Sequence, residues 1–257
     1  MIKKIDFHIS ELNQMKAYPN ELYCIGDTSL LTKRKISIVG TRRPNSYTKK
    51  FTHELSQKLS NKNICIVSGA AMGVDALAHN GATAANTIAV VANGLDIRYP
   101  SVNKNLICQI ETEGLMLSQF PPKEEARAYS FVQRNEIVVA LGEILIVTQA
   151  DRKSGSLRSV EFAQKMGKKI YVLPHRLNES LGTQDLLANG LAEVIYDIDT
   201  YIESLGFFQE EVLADEILGY CKKYPTYDEA VSKFGGKIFE YELLGKIKVE
   251  NGIVTSN

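Results

Sequence analysis

From residue 36 to about residue 195, short apolar runs alternate with longer stretches whose apolar positions recur at helical spacing, the rhythm of strands joined by crossover helices. Six runs read as strands: 36–39, 64–67, 87–91, 115–119, 144–148 and 169–173. Two of them, Ile64-Cys65-Ile66-Val67 and Ile144-Leu145-Ile146-Val147, are apolar on both faces, as suits interior strands of a parallel sheet covered by helices on both sides. The pattern predicts an α/β fold with a doubly wound, mostly parallel sheet. Helix starts agree. Asn45-Ser46 precedes a helix over 47–59, Gly73-Val74-Asp75 opens one through His79, and Ser154-Gly155-Ser156 leads into 157–166, with Gly167 as its stop.

After Tyr201 the pattern changes. Helix-like stretches at 211–223, 227–234 and 238–244 lead to an alternating Lys246-Ile247-Lys248-Val249, which Glu250-Asn251-Gly252 turns into Ile253-Val254. Three short helices and a hairpin describe a winged-helix-like module over 206–257, following an α/β domain over 1–205 whose core is 36–195. At about 50 residues the module is near the lower limit for independent stability.

Composition narrows the function classes. No apolar run approaches the ~18 residues that a membrane-spanning helix needs, and the N-terminus lacks a secretory pattern, so cytoplasmic residence without membrane contact is expected. The cysteines Cys24, Cys65, Cys108 and Cys221 and the four histidines are scattered without ligand spacing, and neither a metal nor a cofactor is expected. Thirty basic residues balance thirty acidic ones, so affinity for a polyanion requires a local patch. Lys33, Arg34, Lys35, Arg42, Arg43, Lys49 and Lys50 supply one along the sequence, around the first strand of the core.

The candidate chemistry lies where core strands end. Gly40-Thr41-Arg42-Arg43 follows the first; it lacks the further glycines of a dinucleotide fingerprint and carries two guanidinium groups instead, which grip phosphate or are solvated surface charges. Ser68-Gly69-Ala70-Ala71-Met72-Gly73 follows the second, small enough for close backbone approach to a ligand or for helix–sheet packing. Ser154-Gly155-Ser156, flanked by Arg152, Lys153 and Arg158, is either a phosphate cradle or a helix cap. Lys165, Lys168 and Lys169 extend the positive surface or partner a helix dipole. The acids Asp75, Asp96, Glu111 and Glu113 form no acid–base pair at a defined spacing, and Asp75 is expected to fix a helix or loop.

Val39-Gly40-Thr41-Arg42, Ser68 through Asp75 with Ala78-His79, Gly94-Leu95-Asp96, Tyr99-Pro100 with Asn103, Phe131-Val132-Gln133-Arg134-Asn135, Ser154-Gly155-Ser156-Leu157 and Val172-Leu173-Pro174 follow in order, and together they resemble the motif series of the DNA-processing protein A (DprA/Smf) family. The resemblance covers roughly residues 36–195 and implies an extended Rossmann-like fold without enzymatic activity. Such a protein binds single-stranded DNA, forms a homodimer and hands incoming DNA to the RecA recombinase during natural transformation. By position, Gly40, Thr41, Arg42 and Arg43 would hold phosphate, with Ser68 and Gly69 beside them. Phe131 would stack on a base or wall the pocket, unless it is a core aromatic. Arg127, Arg134, Asn135, Ser154, Gly155, Ser156 and Lys165 would complete the DNA-binding edge. The chain departs from the family pattern with Gln119 for Glu, Val132 for Pro, Glu136 for Arg and His175 for Gly, and the segment before Ile36 is too short for the helical N-terminal domain of many members.

Two other readings compete. Nucleotide or nucleoside hydrolases of the lysine-decarboxylase-like Rossmann group share the fold but carry a Pro-Gly-Gly-x-Gly-Thr-x-x-Glu run, absent here. Alternatively the C-terminal module contacts duplex DNA or another protein, although Lys237, Lys246 and Lys248 are a thin basic supply.

Overall fold

In the computed structural model, which describes residues 1–206, 216–243, 245–250 and 252–256, the chain divides into two compact units, Met1–Ile202 and Glu203–Asn257. The first unit opens with two short strands, β1 (Lys3–Lys4) and β2 (Tyr23–Gly26). All six apolar runs then form strands within one residue of their expected bounds: β3 (Lys35–Val39), β4 (Cys65–Ser68), β5 (Thr87–Val90), β6 (Leu115–Ser118), β7 (Ile144–Val147) and β8 (Lys169–Val172). A two-residue β9 (Glu193–Val194) follows. The intervening helices are α1 (Ser46–Asn61), α2 (Val74–Ala82), α3 (Lys104–Glu113), α4 (Ala128–Leu141), α5 (Ser156–Lys165), α6 (Leu181–Ala188) and α7 (Ile198–Ser204).

The strands join one nine-stranded sheet in the order β1-β2-β6-β5-β4-β3-β7-β8-β9. From β6 to β9 every pairing is parallel, with Ile36 opposite Ile144 and Val39 opposite Val147 across the centre. The N-terminal strands add an antiparallel edge beyond β6. Alternation within each strand sorts the apolar side chains. Val39, Val67, Val90, Leu117 and Val147 meet Ile137, Leu141, Val160 and Ala163 of α4 and α5, while Ala89, Val91 and Met116 meet Ile107 and Ile110 of α3. The chain runs β3 to β6 toward one edge and then returns to place β7 on the other side of β3. The reversal opens a crevice at the carboxyl ends of β3 and β7, the place where open α/β sheets take ligands.

One expectation from the linear sequence changes on folding. Lys33, Arg34 and Lys35 precede or open β3, whereas Arg42 and Arg43 follow it, so a strand length of about 17 Å separates the two groups. The first group is also internally compensated. Lys35 is buried, its ammonium 2.7 Å from Glu11 and 2.6 Å from the Leu31 carbonyl. Arg34 pairs with Glu143, and Lys33 donates to Asn86. What reads as one basic cluster is therefore two, on opposite edges of the sheet.

The second unit contains α8 (Glu216–Cys221), α9 (Tyr227–Phe234), α10 (Lys237–Leu243) and an antiparallel hairpin of β10 (Ile247–Glu250) and β11 (Ile253–Ser256). Thr226 caps α9 through the Glu229 amide, and the Glu229 carboxylate reaches back to the Thr226 amide. Ile217, Cys221, Ala230, Ile238, Ile247 and Val254 form its core. The parts of the expected helices at 211–215 and at Leu244, and Asn251 of the expected turn, lie outside the described residues.

Candidate functional site

The loop after β3 is fastened on two sides. The Thr41 amide donates to the Gln149 carbonyl at 2.8 Å, and the Thr41 carbonyl accepts from the Val74 amide at 3.1 Å. Gln149 also receives the Asn45 amide on its side chain at 3.0 Å, just where Asn45 caps α1 through the Thr48 amide. Gly40 and Gly73 permit this closeness. A β-carbon on Gly40 would meet Val74 and the Gln149 carbonyl, and Gly73, at φ +79°, lies against the backbone of Thr41 and Arg42. Arg42 is thus carried on a pinned turn. Its guanidinium carbon stands 5.2 Å from the centre of the Phe131 ring, and neither Arg42 nor Arg43 forms an ion pair among the described residues.

The loop after β4 is held by buried polar groups. His79, fully buried, accepts from the Ala70 amide on Nε2 at 3.3 Å and donates through Nδ1 to Thr87 Oγ1 at 2.6 Å, whose own hydroxyl goes to the Ile66 carbonyl. Burial pushes its pKa down to about 3, so the ring is neutral. Asn103 donates to the Ala70 and Ala71 carbonyls, both at 3.0 Å, which helps hold Ala70 at φ +54°. Ser68 is buried and donates to the Ile38 carbonyl at 2.6 Å, so its side chain belongs to the sheet.

Beneath these loops lies Arg134 of α4, only 5% exposed. Its guanidinium donates to the Gly69 and Val90 carbonyls and to Asn135 Oδ1. The side chain occupies the space that a β-carbon at Gly69 would need. Burial pushes the Asp75 carboxyl up, while the charge of Arg134 pulls it back, and the Ala71 amide donates to Asp75 Oδ2 at 3.4 Å. Asp75 fixes the loop, as expected, and Arg134 ties α4 to β4 and β5 from inside.

These pieces enclose a cavity of about 280 Å³ at the switch point of the sheet, lined by Gly40, Thr41 and Arg42, by Gly69, Ala71 and Asp75, by Phe131, Arg134, Asn135 and Val138, and by Ser154, Gly155, Ser156 and Ser159. A smaller pocket beside it shares Arg42, Phe131 and Arg134 and adds Met72, Val91, Tyr99 and Pro100. Arg43 is exposed next to the lining, and Arg127 is exposed at the start of α4, where its amide donates to Ser130 Oγ. Lys165 ends α5, a ten-residue helix about 15 Å long that begins at the cavity, and is remote from it.

Ser154 and Ser156 do not cap α5: its capping residue is Gly155, with no side-chain cap bond, and the hydroxyls of Ser154 and Ser159 are buried without a hydrogen-bond partner. The basic flank of this loop is neutralised in part, because Arg152 forks onto Asp185 at 2.6 and 2.7 Å and Arg158 pairs with Glu161. Of the two readings of Lys168, the structure favours the helix-end one over the surface charge. Its ammonium donates to the Val139, Ala140 and Gly142 carbonyls and so closes the C-terminus of α4. Sequence reasoning missed Ser159; its signal was a small hydroxyl three positions after Ser156, on the same face of the helix.

Of the acids that could serve a hydrolase, Asp96 holds the Lys123 amide at 2.8 Å and Glu111 pairs with Arg98 at 2.7 Å. Neither lines the cavity, and Asp75, which does, is engaged in the loop. Among the described residues no group of three or more His, Cys, Asp or Glu side chains could hold a metal ion.

The model of the DNA recombination-mediator protein A family matches residues 4–206, which covers all three loops that line the cavity as well as α4 and α5. The chain belongs to that family. It is 38% identical over 175 residues to Protein Smf of Synechocystis, covering 66% of this chain and 44% of the relative, and 35% identical over 192 residues to DNA processing protein DprA of Bacillus subtilis, covering 73% and 64%. It therefore spans less than two thirds of the length of these relatives. Among solved structures, DNA processing protein A from Helicobacter pylori, described for its single-stranded DNA binding mode, superposes with a TM-score of 0.78 at 40% identity over 79% of this chain and 95% of that one. DprA from Streptococcus pneumoniae gives 0.72 at 30% identity over 79% and 74%.

Proposed function

We propose that this family member binds single-stranded DNA along the carboxyl edge of its sheet and acts as a recombination mediator, delivering incoming DNA to a RecA-type recombinase during natural transformation. It does so in the cytoplasm as a homodimer and without a chemical step of its own. The observation that carries the reading is the pairing of the Arg42 guanidinium, without a carboxylate partner among the described residues, with the Phe131 ring at the mouth of the switch-point cavity. Arginine offers a planar fork to phosphate oxygens, and an aromatic face stacks on any base, so the pair suits a strand whose bases are unpaired and whose sequence is immaterial. The Helicobacter relative, described for binding single-stranded DNA, supports the choice of ligand. The engagement of Asp75, Asp96 and Glu111 in structural bonds favours binding over hydrolysis. For the second unit we read the three helices and hairpin as a winged-helix-like module for a partner or duplex contact.

The test is a salt-titrated comparison of a mixed-sequence oligonucleotide with its duplex, with mass measured in parallel by light scattering. The purified chain should form a dimer and prefer the single strand at every salt concentration. Equal or stronger duplex binding would count against the reading.

A further inference from the structure

The loop that links β3 to α1 carries Arg42 near its start and runs, at its end, into a second group of rings and cations, none of which lines the cavity. Asn45 caps α1, and Tyr47 follows in the first turn. The centre of its ring lies 4.7 Å from that of Phe51, one turn further along α1, and 5.5 Å from that of His175 in the segment after β8, at interplanar angles of 51° and 70°. Because β3, β7 and β8 run parallel, this segment and the start of α1 emerge at the same carboxyl edge as the cavity. Packing accounts for part of the cluster, since the three rings hold the segment after β8 against α1. It does not account for the exposure or the charge. Neither ring contact is a parallel stack, and Tyr47 keeps 36% of its surface exposed. The Lys50 ammonium sits 5.1 Å from the centre of the Phe51 ring. Arg43, Lys49, Lys50 and Arg176 flank the rings along the chain, all exposed and without a carboxylate partner among the described residues. The acids of the same segments are engaged: Glu54 pairs with Lys58 at 3.2 Å, and Glu179 accepts from the Asn45 side chain at 3.5 Å.

We propose that Tyr47, Phe51 and His175, with Lys49 and Lys50, form a second stacking platform for the same single strand, so that nucleotides leaving the cavity cross the loop at Arg43 and continue onto α1. The platform rests on the single-strand reading and extends it beyond the cavity. Five residues join Arg42 to Tyr47, at most about 18 Å of chain, so one strand reaches both. Beyond the rings, a groove lined by Lys49, Lys50, His53 and Gln57 continues along α1. Exposed rings beside free cations match a ligand that alternates planar bases with phosphates. An acidic peptide would satisfy the lysines and leave the Tyr47 ring without a planar partner, and a duplex keeps its bases stacked on one another.

The chain has no tryptophan, so Tyr47→Trp installs a single fluorescent reporter at the platform. Its emission should fall when an oligothymidylate of about 16 nucleotides binds and stay constant with one of about 4, which the cavity holds alone. Tyr47→Ala should weaken the longer oligonucleotide by about fivefold or more, the worth of one stacked base, and leave the shorter unchanged. Lys49→Ala/Lys50→Ala should make the slope of log K against log salt shallower by about 0.7 for each phosphate contact removed, again for the longer oligonucleotide alone. Both lysines are exposed, so this pair decides the matter if the Tyr47 variants fail to fold. Constant emission with the longer oligonucleotide bound, or a lysine pair variant that binds it as the natural chain does, overturns the platform and leaves the single-strand reading standing. A duplex that quenches the reporter equally overturns the assignment to unpaired bases. If neither oligonucleotide binds the natural chain, the single-strand reading falls and the platform with it.

Discussion

A guanidinium held 5.2 Å from a phenyl ring, on a turn fastened to two neighbouring segments, can meet a phosphate and a base together with little reorganisation. The two groups should be separable by salt. Phe131→Ala should lose about 1–3 kcal/mol of single-strand affinity, the worth of one stacked base, with no change in the slope of log K against log salt. Phe131→Leu should recover only part of it, as fluorescence anisotropy at several salt concentrations will show. His79 makes a different residue-scale prediction. With its pKa pushed down to about 3, the native ring stays neutral while the unfolded ring takes up a proton below its ordinary value near 6.5. Stability from this residue is complete above pH 6.5 and is lost as pH falls toward 3, by at most about 1.4 kcal/mol per pH unit. Urea unfolding at pH 7, 6 and 5 should show a steeper loss for the natural chain than for His79→Gln, which starts lower. Parallel pH profiles would contradict this role. The glycine-rich turns were legible in the sequence because glycine is demanded by contacts that its neighbours imply. Arg134 was legible as a residue of this edge but its buried tie to β4 and β5 was not, since a basic residue on a helix looks like surface charge until the helix is docked over a sheet whose carbonyls it can reach.

Among the elements, α4 carries the most of the site: Phe131 at the rim, Arg134 in the floor, Asn135 and Val138 on the wall. Its position rests on Arg134 at its middle and on Lys168 at its end, where one ammonium serves three terminal carbonyls. Lys168→Ala should therefore cost about 1–2 kcal/mol of stability and speed hydrogen exchange in the last turn of α4 and at the start of β7. Exchange unaltered there would mean that water replaces the ammonium without loss. Sequence pattern placed the six core strands because short apolar runs set between helix-periodic stretches have few other uses. It could not order the lysines in space. Lys33 and Arg42 are close along the chain, but β3 carries them to opposite edges, and Lys168 reads as a surface charge until α4 ends beside it.

At the scale of the molecule, a chain with no net charge binds a polyanion only if its charges are sorted. Folding does some of that sorting, by pairing Lys35 with Glu11, Arg34 with Glu143 and Arg152 with Asp185, and by leaving Arg42 and Arg43 at the carboxyl edge without carboxylate partners among the described residues. The doubly wound order of strands then sets that edge at a switch point, so fold and charge select the same place. Among the described residues no helix is long and apolar enough to cross a membrane. Topology was legible in outline, while the antiparallel β1–β2 edge was not, because Lys3–Lys4 is two polar residues and Tyr23–Gly26, with one β-branched residue and a closing glycine, is no continuous strand-forming run. The central claim is that this edge grips a single strand through Arg42 and Arg43, and its most direct test is the salt dependence of oligonucleotide binding by Arg42→Ala/Arg43→Ala. The account predicts at least about a tenfold loss at moderate salt and a slope shallower by about 0.7 for each phosphate contact removed; affinity and slope equal to those of the natural chain would contradict it.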